Sequence, residues 1–161
     1  MNSRGEGDAG AWLPAFRRYL AATLLLDLVW EFAQMPLYAI WRESWGTVIF
    51  AGLHCLGGDL LIASSCLWIS LVVLADGRWP GARFRRVAAA TLVLGIGYTV
   101  FSEWLNVHIR RSWAYTDLMP LLPPFGTGLA PLLQWIVVPA VALWAAGRSR
   151  VTDAPRVGGP S

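Results

Sequence analysis

The stretch YLAATLLLDLVWEFAQMPLYAIW, residues Tyr19–Trp41, decides the fold. It is apolar and long enough to cross a bilayer, which takes roughly 20 residues of helix. Yet Asp27, Glu31 and Gln34 stand near its middle. Steps of four and then three residues put all three on one face of a helix. A carboxylate turned to lipid costs at least ~2.5 kcal/mol, so that face is expected to turn toward other helices or a wet cavity. The remaining spans should then answer it with polar groups of their own.

Working outward, the 161 residues are 56% hydrophobic and 14% charged, with mean hydropathy +0.50. A soluble domain carries about 25% charged residues, so this is the composition of a membrane protein, at a length that fits one domain. All thirteen basic residues are Arg, a usage that points to a GC-rich bacterial genome. The net charge of +3 comes from Arg clusters beside apolar spans. These read as topology signals, and no nucleic-acid partner is expected. Cys55 and Cys66 stand eleven residues apart on one predicted helix. They are too distant for a disulfide, lack C-x-x-C spacing and read as packing residues.

Four spans are predicted, at about 19–40, 48–75, 87–107 and 129–146, within a membrane domain of residues 17–147. Residues 1–16 and 148–161 are polar and expected to be disordered cytoplasmic segments. The N-terminus lacks the short apolar core and cleavage site of a signal peptide and is expected to be retained. In a four-span arrangement ten arginines fall on the side of the termini and three, Arg42, Arg110 and Arg111, on the other. The positive-inside rule then places both termini in the cytoplasm. The expected fold class is all-α: an integral four-helix bundle, multi-pass in a bacterial inner (cytoplasmic) membrane. Trp12, Trp41, Trp45, Trp79, Trp113 and Trp144 fall near span ends and read mostly as interface anchors. Trp30, Trp68, Trp104 and Trp135 lie inside spans and are candidates to line a pocket.

At ~1.5 Å of rise per residue, Glu31, His54, Asp59, Glu103 and Gln134 all fall between mid-membrane and the outer face. Thr99, Glu103 and Asn106 form one stripe on the third span. On the second, Asp59 shares a face with Cys55 and Cys66, whereas His54 points about 140° away at ~100° per residue. Gly57 and Gly58 could supply a kink or a close helix approach. Polar side chains within spans can simply tie helices together, which is the plainer reading for Thr99, Asn106 and Gln134. Acids whose only basic neighbour in the membrane is His54 are better suited to giving and taking protons. A divalent transition metal on His54, Glu31, Asp59 and Glu103 is the alternative. The chain has no Glu-x-x-His pair of the kind that carboxylate four-helix metalloproteins use, and no cofactor is the leading expectation.

The outer loop, Ser112-Trp113-Ala114-Tyr115 through Met119-Pro120 to Pro123-Pro124-Phe125-Gly126-Thr127-Gly128, is too apolar for a solvated connection. It reads as a segment lying in the membrane interface or as a lid over the polar cavity.

Asp27-Leu28-Val29-Trp30-Glu31 with Leu37-Tyr38 resembles the first-helix acidic motif of the EXPERA superfamily of four-span sterol isomerases and sigma-2 receptors. Arg83-Phe84 through Gly95-Ile96-Gly97-Tyr98 is similar to that superfamily's third span, and Trp135-Ile136-Val137-Val138-Pro139 to its Trp-x-x-x-Pro. The position held by His in the isomerases is Asp27 here, and Asp59 is offset from the superfamily's second-helix acid. Glu103-Trp104-Leu105-Asn106, with Trp113, Tyr115 and Pro120, is similar to a pattern of membrane carotenoid and lycopene cyclases. Both resemblances imply proton transfer to an isoprenoid or sterol-like lipid. The expected catalytic residues are Glu31, Asp59, Glu103 and Asp27. The expected substrate-binding residues are Trp30, Gln34, Tyr98, Asn106, Trp113, Tyr115, Gln134 and Trp135. A non-catalytic lipid- or metal-binding protein, or an accessory subunit of a larger membrane complex or homo-oligomer, is the rival expectation.

Overall fold

The computed structural model describes residues 12–75 and 79–148. Four long helices carry the chain: α1 (Trp12–Gln34), α2 (Trp45–Leu74), α3 (Phe84–Glu103) and α4 (Leu129–Gly147). Counting the short turns that extend two of them, all four are long and apolar enough to cross a membrane. The chain is a multi-pass, all-α membrane protein. Large side chains such as Leu25, Val29, Leu61 and Val72 face outward, where a soluble bundle would place charge. The expected disorder of residues 1–11 and 149–161 falls outside the described residues, as do Arg4, Arg78, Arg150 and Arg156.

The first helix sits further toward the N-terminus than hydropathy places it. It is already helical at Trp12, the first described residue, and Trp12–Phe16 is itself apolar. It stops at Gln34 rather than near Ile40, because Pro36 cannot continue the ladder. Two short 3₁₀ turns, Met35–Leu37 and Ala39–Arg42, then lead to α2. That helix is capped by Ser44, whose hydroxyl accepts from the Thr47 N–H at 3.3 Å. Beyond Glu103, α3 widens into a π-helical turn, Trp104–Ile109.

The far-end loop is not free. Leu121–Leu122 pairs antiparallel with Thr127–Gly128 as a minute hairpin. Tyr115 forms a bridge with Tyr38, supported by Ala39 N–H to Ala114 C=O at 2.8 Å and Thr116 N–H to Leu37 C=O at 2.9 Å. The loop is thereby bound across the chain that follows α1.

The bundle is unlike at its two ends. At the end bearing the termini, Ala15, Tyr19, Leu67, Val87, Leu143 and Ala146 form a dry core. Trp79 is 1% exposed within it, so it is a core residue and not an interface anchor. Its connection folds inward over the helix ends. At the far end the same helices enclose polar groups.

Gly95 governs how closely α3 and α4 approach: a Cβ there would lie 2.5 Å from the Trp135 ring. Gly57 and Gly58, by contrast, have open space where a Cβ would go, and α2 runs through them as continuous helix. They bring no neighbouring helix close. Gly95→Ala should therefore lower stability by about 1–3 kcal/mol through overpacking. Gly57→Ala should be neutral or stabilising by up to ~1 kcal/mol. Thermal unfolding in mild detergent compares the two.

Candidate functional site

The acidic residues of α1 and α2 meet on one amide. The Gln134 Nε2 of α4, 2% exposed, lies 3.0 Å from Asp27 Oδ1, 2.9 Å from Glu31 Oε1 and 3.2 Å from Asp59 Oδ2. Gln134 Oε1 accepts from Gln34 Nε2 at 2.9 Å, and the same Gln34 nitrogen donates to Glu31 Oε1 at 3.0 Å. From one and a half turns inside α4, Gln134 bonds to both α1 and α2. Asp27, Glu31 and Gln34 share the buried face that their spacing predicts.

The donors in this group are neutral amides, and they are too few. A primary amide carries two hydrogens, yet Gln134 Nε2 faces three carboxyls. Both hydrogens of Gln34 are taken by Glu31 and Gln134. The Glu31 and Asp59 carboxyls are themselves in hydrogen-bonding contact. Two carboxyls can bond only if a proton lies between them. Three unneutralised charges at this depth would also be prohibitive. The cluster is thus a close set of acids served only by neutral donors, an arrangement suited to holding and exchanging protons.

Glu103 occupies the same cavity but not the cluster. The Tyr115 hydroxyl of the loop donates to its Oε2 and accepts the Gly128 N–H at 3.1 Å. Burial and the adjoining carboxyl push the Tyr115 phenol well above its ordinary value, so it stays a donor through the physiological range. The Trp113 indole N–H is buried beside Glu103 without reaching hydrogen-bond geometry. Thr99 donates to Gly95 C=O at 3.0 Å, and Asn106 to Ser102 C=O at 2.9 Å. Asn106, within the π-helical turn, lines the same cavity.

Between these groups lies a cavity of about 650 Å³, within the size range of small-molecule sites. Glu31, Asp59 and Gln134 form one wall; Thr99, Glu103 and Asn106 form another. Met35, Ile62 and Trp135 supply apolar surface. Phe50, 70% exposed, with His54 and Tyr98 brings the cavity lining to the outward surface of α2 and α3. Ser112 and Trp113 of the loop also line the cavity.

Several expected site residues are placed otherwise. Asp27, 4% exposed, lies behind the cavity wall rather than in it. Trp30 is half-buried away from the cavity, and Trp68 and Trp104 are turned outward at 45% and 39% exposure. One helical step separates Trp30 from Glu31, about 100°, and that is enough to lose the cavity. Trp68 instead packs edge-on to Trp12 with ring centroids 5.7 Å apart. Tyr115 reaches the site through Glu103 rather than lining it. Among the described residues, no three His, Cys, Asp or Glu side chains converge in a way that could hold a metal. His54, Glu31, Asp59 and Glu103 therefore form no ligand set, and the His54 ring stacks on Phe50 at 5.9 Å. Cys55 and Cys66 are free thiols, Cys55 on the cavity wall. The residue undervalued by sequence reasoning is Gln134, whose central role no spacing rule reveals.

Gln134→Leu fills similar volume but strands up to three carboxyls. Each buried group left unsatisfied costs about 1–3 kcal/mol, so the variant should lose at least ~2 kcal/mol. Gln134→Leu combined with Asp27→Asn and Asp59→Asn should recover part of that loss. Chemical unfolding in bicelles measures both.

The chain matches no family model, no curated protein and no solved structure.

Proposed function

We propose that this protein is an intramembrane acid/base enzyme, an isomerase or cyclase acting on an isoprenoid or sterol-like lipid. The observation that carries the reading is the close Glu31–Asp59 carboxyl pair on the wall of a cavity whose lining reaches the outward-facing Phe50 and Tyr98. A hydrocarbon can enter from the bilayer without crossing water. Glu31, with Asp59 behind it, donates a proton to a double bond from one wall. Glu103, on the other wall and oriented by Tyr115, removes one. Between the two steps the substrate carries positive charge, which the ring faces of Trp135 and Tyr98 stabilise. Asn106 and Gln34 orient any polar end of the lipid. The resemblance to sterol isomerases and to carotenoid cyclases supports the same chemistry. The arginine distribution favours a bacterial inner membrane with both termini in the cytoplasm.

A non-catalytic lipid-binding protein, acting alone, as a homo-oligomer or in a larger complex, is the second reading. It is favoured by Gln134, whose bonds would serve equally well to lock three helices together.

Native mass spectrometry of the protein released from mild detergent should show a bound neutral lipid of isoprenoid or sterol-like mass. Incubated with that lipid in deuterated water, the enzyme should place deuterium on carbon. Glu31→Gln should retain the bound lipid and lower incorporation by roughly 10²–10⁴-fold, the contribution of one general acid. Bound lipid without incorporation in the wild type would establish the second reading.

A further inference from the structure

Glycine is poorly suited to the middle of a helix, where Ala is more stable, and it is ordinarily kept there because something comes close. Gly52 and Gly95 follow this rule. A Cβ at Gly52 would lie 3.1 Å from both the Phe32 and Met35 side chains, and one at Gly95 would strike the Trp135 ring. Gly58, well inside α2, does not follow it. No atom stands within 4 Å of where its Cβ would be, yet Gly58 lines the cavity.

Helix geometry gives the direction of that empty position. Phe50 and Asp59 bound the arc of α2 that lines the cavity, and nine residues at ~100° each set them about 180° apart. Gly58 falls near the middle of this arc, ~80° from Phe50 and ~100° from Asp59. Thr47 and Ala51, which also line the cavity, lie about 20° to either side of it. A side chain at position 58 would therefore project into the cavity, beside the Asp59 carboxyl. Gly97 of α3 has open space at its Cβ position too. It is exposed, about 160° round its helix from Thr99, and takes no part in the lining.

We propose that Gly58 decides the shape of lipid that the cavity accepts: its missing side chain leaves room, beside the Glu31 and Asp59 carboxyls, for a ring or a methyl-branched unit. The inference deepens the function proposed above and rests on the cavity holding a lipid, as both of its readings require. A straight acyl chain laid against Gly58 would leave a void, and atoms that line a void lose their contacts on one side. A ring or a branch fills that space. Ala51 and Ile62, which precede and follow Gly58 on the same face, give it apolar surface to rest on. A leucine at position 58 would occupy the same volume, and only slim chains would then fit beside the acids.

The test equilibrates the full chain in mild detergent with equal amounts of two probes, cholesterol and hexadecanol. The two share a single hydroxyl and differ in width. Native mass spectrometry reads the fraction of protein carrying each, and wild type should carry the sterol in preference. Gly58→Leu should lower the ratio of bound cholesterol to bound hexadecanol at least about tenfold, the low end for a methylene-sized change in an apolar pocket. Gly58→Ala should fall between the two, and Gly97→Leu should leave the ratio unchanged. Neither substitution at position 58 meets protein at its Cβ, so unfolding midpoints should stay equal or rise. A purely structural glycine predicts the reverse, a lowered midpoint and an unchanged ratio. Should Gly58→Leu not fold, Gly58→Ala decides by the same ratio. An unchanged ratio in a folded Gly58 variant, an equal drop in Gly97→Leu, or a wild type that prefers hexadecanol overturns the proposal and leaves the lipid cavity standing. A wild type that carries neither probe removes the lipid reading of the cavity, and this inference with it.

Discussion

An amide with two hydrogens set among three carboxyl groups is the constraint from which the rest of this structure follows. In water the mismatch would be trivial, since solvent would supply the missing donors. In the middle of a bilayer it must be met by protons that the acids keep for themselves. Arginine would have neutralised these acids, but the chain places its arginines at the span ends. Neutral donors leave the carboxyls hydrogen-bonded yet still able to exchange a proton. A salt bridge would have fixed them in the charged form. The same count explains why α1, α2 and α4 meet at this level: each supplies a group that the others cannot do without.

The division of the bundle into two unlike halves serves that arrangement. Packing near the termini is dry and aliphatic, with Leu67, Val87 and Leu143 buried and Trp79 folded over them. Rigidity is thus concentrated away from the chemistry. The far half is closed by hydrogen bonds from the loop instead: Tyr115 to Glu103, Ala39 to Ala114, and Thr116 to Leu37. Such closure uses few buried apolar contacts and opens at low energy compared with a packed core. A loop held by hydrogen bonds can shift without disturbing the helices that hold the acids.

Much of this was legible from residue order, for reasons that are specific. Four spans follow from hydropathy, and the burial of Asp27, Glu31 and Gln34 on one face follows from steps of four and three. The stripe Thr99–Glu103–Asn106 is likewise a matter of periodicity, and all three residues line the cavity. What was not legible depends on the rotation of each helix about its axis, which hydropathy does not report. Trp30 and Trp135 both lie within spans, yet only Trp135 faces the cavity, because Gly95 leaves room for its ring. Trp79 stands beside Pro80 at a span end and has the local signature of an interface anchor. Only tertiary folding of its connection buries it. The helix runs back past Arg17 and Arg18, which in the sequence look like a boundary, at least to Trp12. Long charged side chains on a helix can reach water while their backbone continues inward.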